Sequence, residues 1–481
     1  MLTPQTLETV RRVSVGVRTQ PLLTMFGLML TDALAIILAN STSVIWRWVT
    51  GGSFEFQTYI ALLPFLGLFI AAFAAFGLYQ GSGLNPVEEL RLATLGITLV
   101  YALLGATSFF LRAAELYSRL AFIVALLLSL LFVPLARAII RGLFARAAWW
   151  GVPVVILGAG ETGRIIAQSL QKQPGLGLKL VAFLDDDPSK HGELENVPVI
   201  GGLELAPILA ERYGVRHALL AMPGAKRERL LEIIEEYGSF FPRLYLVPDL
   251  LGVASLWASA KDYGGLLALE VRQNLLQPLS KRVKRTMDLT LVLMTLPLLL
   301  PLTILIAITI RLESKGAIFF TQERLGRGGK TFRAYKFRSM VQNAEEVLTT
   351  SLEQNPLLRE EWAKDQKLRH DPRVTKVGWF LRKTSLDEMP QLWNVFLGEM
   401  SLVGPRPIVQ NEIMRYGDAF KLYTKVTPGL TGMWQVNGRN NTTYAERVRF
   451  DAYYARNWSV WLDVYILART FRAVIRAEGA Y

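Results

Sequence analysis

The apolar positions of this chain fall into long unbroken runs, and these runs predict much of its architecture. Between Arg18 and Arg47 lie 28 residues with a single charge, Asp32. Further runs extend from about Gln57 to Tyr79, from Leu92 to Leu111 and from Leu120 to Ala136, the last two bracketed by arginines. Each is long enough to cross a ~30 Å hydrocarbon layer as a helix. The first starts too late and is too polar for a cleaved signal segment. A four-helix transmembrane bundle is therefore predicted over 1–150. Arg11, Arg12, Arg18, Arg91, Arg137, Arg141 and Arg146 fall on one side of it, against Arg47, Arg112 and Arg119 on the other. That bias predicts both ends of the bundle in the cytoplasm. Asp32, inside a span, is expected to have a structural partner within the bundle.

Over 151–280 the pattern becomes that of an α/β domain. Val154–Leu157 reads as a buried strand, followed by Gly158-Ala-Gly160-Glu-Thr-Gly163 and a helical stretch to Leu170. Leu178–Leu184 reads as a second strand, ending at Asp185. Strand, G-x-G-x-x-G, helix, strand, acid is the order of a Rossmann-like nucleotide site. There Gly158, Gly160 and Gly163 would let the backbone approach a pyrophosphate, and Asp185 would hold a ribose hydroxyl. The same glycines also permit tight strand–helix packing. The favoured expectation is a structural module that pairs into a homodimer, with NAD or another nucleotide the less favoured occupant. Gly160 is expected to need its missing side chain for this packing.

Over 281–481 a third pattern appears. Lys281, Arg282, Lys284 and Arg285 precede Asp288, and 22 uncharged residues follow from Leu289 to Ile310. From Arg311 to Arg338 come eight basic residues against Glu313 and Glu323. Strongly basic flanks at both ends argue against a simple crossing. Pro297 and Pro301 each remove a backbone donor and favour a bend. The expectation is a helix–break–helix at Pro297, re-entering the cytoplasmic leaflet and holding a cytoplasmic catalytic domain, with an ordinary fifth span as the alternative. The fold class is thus an α-helical membrane protein plus α/β, with a four-helix bundle, a Rossmann-like central domain and a re-entrant membrane helix.

Composition narrows the chemistry. Hydrophobic residues make up 51% and charged residues 19% of 481, below the charged share of about 25% usual in soluble domains. The absence of cysteine and three scattered histidines exclude a thiol nucleophile, thiolate-bound zinc and a histidine-built metal centre. A net charge of +13 fits anionic lipid or a phosphate-bearing substrate, and no nucleic acid partner is expected.

The C-terminal ~170 residues carry a distinctive series of motifs. These are Thr321-Gln-Glu-Arg-Leu-Gly326, Tyr335-Lys-Phe-Arg-Ser-Met340, Lys383-Thr-Ser-Leu-Asp-Glu-Met-Pro390-Gln-Leu-Trp-Asn394, Gly404-Pro-Arg-Pro407, Thr427-Pro-Gly-Leu-Thr-Gly432 and Trp434-Gln-Val-Asn-Gly-Arg-Asn440. In order and wording the series resembles the bacterial polyprenyl-phosphate hexose-1-phosphate transferases. Many members carry Ser-Pro at the membrane break, where this chain has Leu296-Pro297. The resemblance implies transfer of a hexose-1-phosphate, galactose-1-phosphate first among them, from a UDP-hexose to undecaprenyl phosphate. It implies too that UMP is released, in the first membrane step of polysaccharide repeat-unit synthesis. It also implies a multi-pass protein of the bacterial inner membrane whose catalytic domain faces the cytoplasm.

Asp387 and Glu388 occupy the place of the family's catalytic pair. A carboxylate can attack phosphorus and form an acyl phosphate; a neighbouring one, Glu388, can hold Mg²⁺. Direct displacement with Asp387 as general base is the alternative. Ser385-x-x-Glu388 also reads as a helix capping box. Lys336, Arg338, Arg382, Lys383, Arg406 and Arg439 are candidates for phosphate binding, with Gln435 and Asn437 as further substrate contacts. Trp434 is a candidate for stacking uracil, while Trp458 and Trp461 read as interfacial anchors. Val464, Leu467, Phe471 and Val474 form an apolar stripe opposite Arg469, Arg472 and Arg476 that suits an interfacial or a core-facing helix. Two other classes stay open. A membrane-tethered NAD-dependent nucleotide-sugar epimerase or dehydratase would need Tyr-x-x-x-Lys, which the chain lacks. A non-enzymatic assembly scaffold would have no use for the Asp-Glu and Gly-Pro-Arg-Pro motifs.

Overall fold

The computed structural model describes residues 19–51, 63–80, 84–110, 118–248, 258–262, 267–271, 278–365, 368, 371–438 and 442–475. The chain divides into two compact units, Met1–Leu250 and Leu251–Tyr481.

The first unit opens with α1 (Pro21–Val49), α2 (Leu66–Ala75), α3 (Pro86–Phe110) and α4 (Arg119–Phe144). Helices α1, α3 and α4 are long and apolar enough to span a membrane. The second expected span is only partly visible: within 57–79 the described helix is the short α2, and 57–62 lie outside the described residues. Helix α4 buries Ala121, Ala125, Ser129, Val133 and Arg137, every fourth residue. It exposes Leu120, Ile123, Leu127, Leu131 and Leu135. Small side chains inside and leucines outside are what a helix surrounded by lipid requires, because close backbone approach, not hydrophobicity, drives the packing.

Asp32 has its partner. Arg137 donates to both of its oxygens, at 2.8 and 2.6 Å, and Tyr79 Oη donates at 2.8 Å. Glu89 accepts from Arg137 at 2.7 Å and from Arg141 at 2.9 Å. Two acids and two arginines balance within one network, which removes the cost of an isolated charge at this depth.

The α/β part follows with β1 (Val152–Leu157), α5 (Glu161–Lys172), β2 (Leu178–Leu184), β3 (Gly192–Leu194), β4 (Val197–Val199), α6 (Ala206–Tyr213), β5 (His217–Leu220), α7 (Arg227–Glu236) and β6 (Arg243–Leu246). These form one mixed sheet in the order β3-β4-β2-β1-β5-β6. All its pairs are parallel except β3 with β4. Strand β1 is central, and Val154–Leu157 are all buried, as expected of a strand covered on both faces.

The glycine loop after β1 is where the structural reading meets its detail. Gly158 has φ +108, and a Cβ there would meet Ala221 and Met222. A Cβ on Gly163 would collide with the Gly158 carbonyl oxygen. Gly160 is different: it adopts φ −83 at the head of α5 and faces open space. Packing therefore demands Gly158 and Gly163, not Gly160. Asp185 is spent on the loop itself. Its carboxylate accepts from Ala159 N at 2.8 Å and Asp187 N at 3.0 Å, and it pairs with Lys190 at 3.0 Å.

The second unit contains the hairpin β7–β8 (Ala258–Asp262, Leu267–Val271), the helix α8 (Pro278–Glu313), and the hairpin β9–β10 (Phe319–Leu325, Thr331–Phe337). Helices α9 (Ala344–Gln354), α10 (Pro356–Asp365), α11 (Lys376–Thr384) and α12 (Gln391–Leu397) come next. Strand β11 (Ser401–Val403) pairs in parallel with β12 (Gly429–Thr431). Helices α13 (Met433–Asn437), α14 (Tyr444–Asn457) and α15 (Val460–Ile475) complete the unit.

Helix α8 corrects one expectation. It runs unbroken through Pro297 and Pro301 for 36 residues, so there is no gap in the helix at Pro297. Both of its ends are tied to the same unit. Near the start, Lys284 pairs with Asp463 at 2.6 Å, and Asp288 accepts from Leu402 N at 3.1 Å. Near the end, Ile306 and Ile310 pack with Phe337, Leu381 and Met389, and Glu313 accepts from Val377 N at 3.0 Å.

The C-terminal helix leaves Val464 and Phe471 of its apolar stripe exposed, against the core-facing alternative. Its buried face is Leu462, Asp463 and Ile466, whereas Phe471 is 70% exposed. Trp458 is buried and donates to Asp463 at 3.0 Å, so it is a core residue and no interfacial anchor. Asp463 on that face is paired with Lys284 and accepts from Tyr454 and Trp458, which offsets the cost of burying its charge.

Candidate active site

Asp387 and Glu388 are delivered by a turn, not by a helix start. Ser385 ends α11 in the left-handed region (φ +57) and makes no capping hydrogen bond with its side chain. A left-handed serine costs about 1 kcal/mol or more. It reverses the chain so that Leu386–Glu388 form a single 3₁₀ turn. The capping-box expectation is thereby overturned, and α12 begins only after Pro390.

The pair opens onto a cavity of about 1220 Å³, also lined by Lys336, Arg338, Arg382, Arg406, Trp434 and Gln435. Lys336, on β10, donates to Glu388 Oε1 at 2.7 Å. Arg406 Nη2 lies 3.5 Å from the same oxygen. Arg382 donates to Ser339 Oγ at 2.9 Å and faces Asp387 electrostatically. The apolar wall of the cavity includes Leu299, Phe319, Phe320, Leu402 and Leu467. A lining that is both charged and apolar suits a substrate whose phosphate ends in a hydrocarbon tail.

The two carboxyls are driven apart. Burial pushes Asp387 above the ordinary carboxylate range and its neighbour Glu388 adds to this, with Lys336 and Arg382 only partly compensating. Burial acts on Glu388 too, but Arg406 and Lys336 outweigh it and hold that carboxyl below its usual value. Adjacent carboxyls with opposite shifts are the expected signature of divided roles.

The other sequence candidates sort by where their side chains go. Arg338 lines the cavity, yet its guanidinium is held by the Ser314 and Lys315 carbonyls at 2.8 and 3.0 Å, clasping the loop after α8. Lys383 points outward and covers the Trp379 ring at 4.6 Å. Asn437 is outside the cavity, accepting from Arg469 at 2.9 Å. Gln435 Oε1 is buried on the wall with no described hydrogen-bond partner. Arg439 lies outside the described residues. The glycine loop and Asp185 belong to the first unit.

Three contributors were not singled out from the sequence. Asn394 is fully buried; it accepts from Tyr335 N at 3.1 Å and donates to Arg333 O at 2.7 Å. It thus fixes the strand that presents Lys336. Arg324 and Arg447 add positive charge around Arg406 and Glu388. Asn394 and Arg324 stand within quoted motifs, but nothing local marks a buried asparagine as a strand clamp.

The site lies in a region matched by known proteins. The family model for bacterial sugar transferases matches residues 279–477, and a CoA-binding domain model matches residues 74–248. The undecaprenyl-phosphate galactose phosphotransferase of Salmonella typhimurium is 39% identical over 369 residues, covering 76% of this chain and 77% of its own. The UDP-galactose-lipid carrier transferase of Erwinia amylovora is 39% identical over 76% of each chain. A UDP-glucose:undecaprenyl-phosphate glucose-1-phosphate transferase of Xanthomonas campestris is 28% identical over 94% of this chain and 93% of its own. With its carboxylate pair in the matched region and relatives of this identity across three quarters of both chains, the protein belongs to the bacterial sugar transferase family.

Proposed function

We propose that this protein transfers galactose-1-phosphate from UDP-galactose to undecaprenyl phosphate, releasing UMP and starting a polysaccharide repeat unit. The carrying observation is the Asp387–Glu388 pair on a cavity wall ringed by Lys336, Arg382 and Arg406. Galactose is favoured over glucose because the two relatives at 39% identity are named for galactose.

The course has two steps. An Asp387 oxygen attacks the β-phosphorus of the UDP-hexose, and the bond from that phosphorus to the bridging oxygen breaks, so UMP leaves with the electron pair. An oxygen of the lipid phosphate then attacks the same phosphorus. The acyl-phosphate bond breaks, and Asp387 returns as a carboxylate. Lys336 holds Glu388 in place, Lys336 and Arg406 face the accumulating phosphate charge, and Arg382 faces Asp387.

Mg²⁺ fits this site. No group of three or more metal-ligating side chains occurs among the described residues. Magnesium nevertheless needs only one or two carboxylates when substrate phosphates complete its shell. Glu388 Oε2, the oxygen not paired with Lys336 or Arg406, would hold it together with the substrate's phosphates. When bound it would neutralise diphosphate charge.

The reading extends to topology. A helix whose two ends are both held by one catalytic domain supports re-entry of α8 into the cytoplasmic leaflet of the inner membrane, because a full crossing would separate those ends. Bent at its prolines, it would hold the cavity at the headgroups, where the lipid phosphate lies. The proposal includes a homodimer, checked by the mass of the solubilised particle.

The deciding experiment is a panel of UDP-sugars with undecaprenyl phosphate, scored by UMP release. UDP-galactose should turn over fastest; no UMP release with any UDP-hexose would reject the function. Mass spectrometry of enzyme with UDP-galactose alone should find phospho-galactose on Asp387.

A further inference from the structure

Arg406 touches Glu388 only at 3.5 Å, so a single weak contact does not set its direction. What surrounds it does. Its guanidinium lies 6.0 Å from the centre of the Trp434 ring, and the Arg447 guanidinium lies 5.0 Å from the same centre. Arg447, on α14, is itself held by the Tyr444 ring at 5.2 Å and by Glu412 at 3.7 Å. Glu412 Oε2 in turn accepts from Val409 N at 3.0 Å, three residues beyond Arg406. Arg406 and Trp434 line the cavity, whereas Arg447 and Glu412 stand behind them.

The contacts close on Arg406 from two sides. Through the ring of Trp434, Arg447 fixes the surface against which the Arg406 guanidinium rests. Through Glu412, it fixes the chain at Val409, just past the two prolines flanking Arg406. A planar cation suits both tasks, because it stacks on a ring while its edge pairs with a carboxylate. We infer that Arg447 is a positioning residue for the transfer reaction: acting through Trp434 and Glu412, it orients Arg406 toward the diphosphate of the nucleotide sugar.

This role rests on the transferase reading above and predicts a particular energetic signature. If Arg447 acts through Arg406, then once Arg406 is gone, losing Arg447 costs nothing more. Full-length protein would be compared as wild type, Arg406→Gln, Arg447→Met and the double variant, with UDP-galactose and undecaprenyl phosphate. Arg447→Met keeps the apolar stem without the guanidinium. It should raise KM for UDP-galactose about tenfold with a much smaller change in kcat, as for lost pre-organisation. The double variant should match Arg406→Gln alone. Arg447→Lys, which keeps the charge but cannot stack or fork, should recover only a minor part.

Losses that multiply in the double variant, or an unchanged kcat/KM in Arg447→Met, would overturn the role. If Arg447→Met shows no melting transition, Glu412→Gln takes its place in the same cycle and must show the same non-additivity. Asp387→Asn separates the two readings. Its retained activity would reject the transferase mechanism itself. A dead Asp387→Asn with a multiplicative cycle would reject only Arg447.

Discussion

Lys336 Nζ lies 2.7 Å from Glu388 Oε1, across 52 residues of sequence. With the Arg406 charge, this contact holds Glu388 below the usual carboxylate range, whereas burial makes the charge of Asp387, which makes no ion pair with a described residue, costly. An ionised group destabilised by its own surroundings is a nucleophile in waiting.

Asp387→Asn should lower UMP release by about 10³-fold or more, and Glu388→Gln should be similarly impaired with weakened Mg²⁺ dependence. Asp387→Asn should also melt at a higher temperature at pH 7. The sign follows from linkage: a carboxyl whose folded pKa is raised favours the folded state at low pH and penalises it once ionised. Activity and melting measured on the same preparation check both halves. Wild-type turnover by Asp387→Asn would remove the assignment.

Activity should fall as pH drops through the raised pKa of Asp387, because only the carboxylate attacks. Lys336→Met removes a cation that partly offsets the rise at Asp387, so the acid limb of the kcat profile should move to higher pH. A limb that stays in place would separate Lys336 from Asp387.

Arg137 is 2% exposed and neutralises Asp32 and Glu89. Arg137→Leu leaves buried carboxylates with too little compensation and should cost about 3–5 kcal/mol of stability. Asp32→Asn should cost less, because a neutral amide can still bond to Tyr79 and Arg137. Melting of the detergent-solubilised chain ranks the two.

Gly163→Ala should destabilise the α/β domain by about 2 kcal/mol or more, since its Cβ must displace backbone at Gly158. Gly160→Ala should stay within about 0.5 kcal/mol, with open space around its Cβ. Equal effects at the two positions would contradict the packing account. NAD released from purified protein on denaturation would show that the loop holds a nucleotide after all.

The chain's lack of cysteine makes the topology of α8 directly measurable. Arg282→Cys and Lys315→Cys, both at exposed positions, should be shielded together from an impermeant thiol reagent added outside intact cells. Labelling of Lys315→Cys alone would demonstrate a full crossing and exclude the re-entrant arrangement.

Sequence by itself determined what depends on neighbours along the chain. Apolar run lengths specified α1, α3 and α4, because a helix in lipid must satisfy its own backbone. The strand–glycine–helix order specified the start of the sheet, and adjacent carboxyls flagged the site. Tertiary structure decided which way side chains turn. It sent Arg338 to Ser314 and Lys383 to Trp379, brought Lys336 to Glu388, and let Gly163 rather than Gly160 bear the packing. It also reversed the capping reading at Ser385 and buried Trp458 on Asp463. The reason is range. Periodicity and propensity act over a turn or two, whereas the partner a charged group selects depends on which distant backbone carbonyl, ring or carboxylate the fold sets within about 3–6 Å of it.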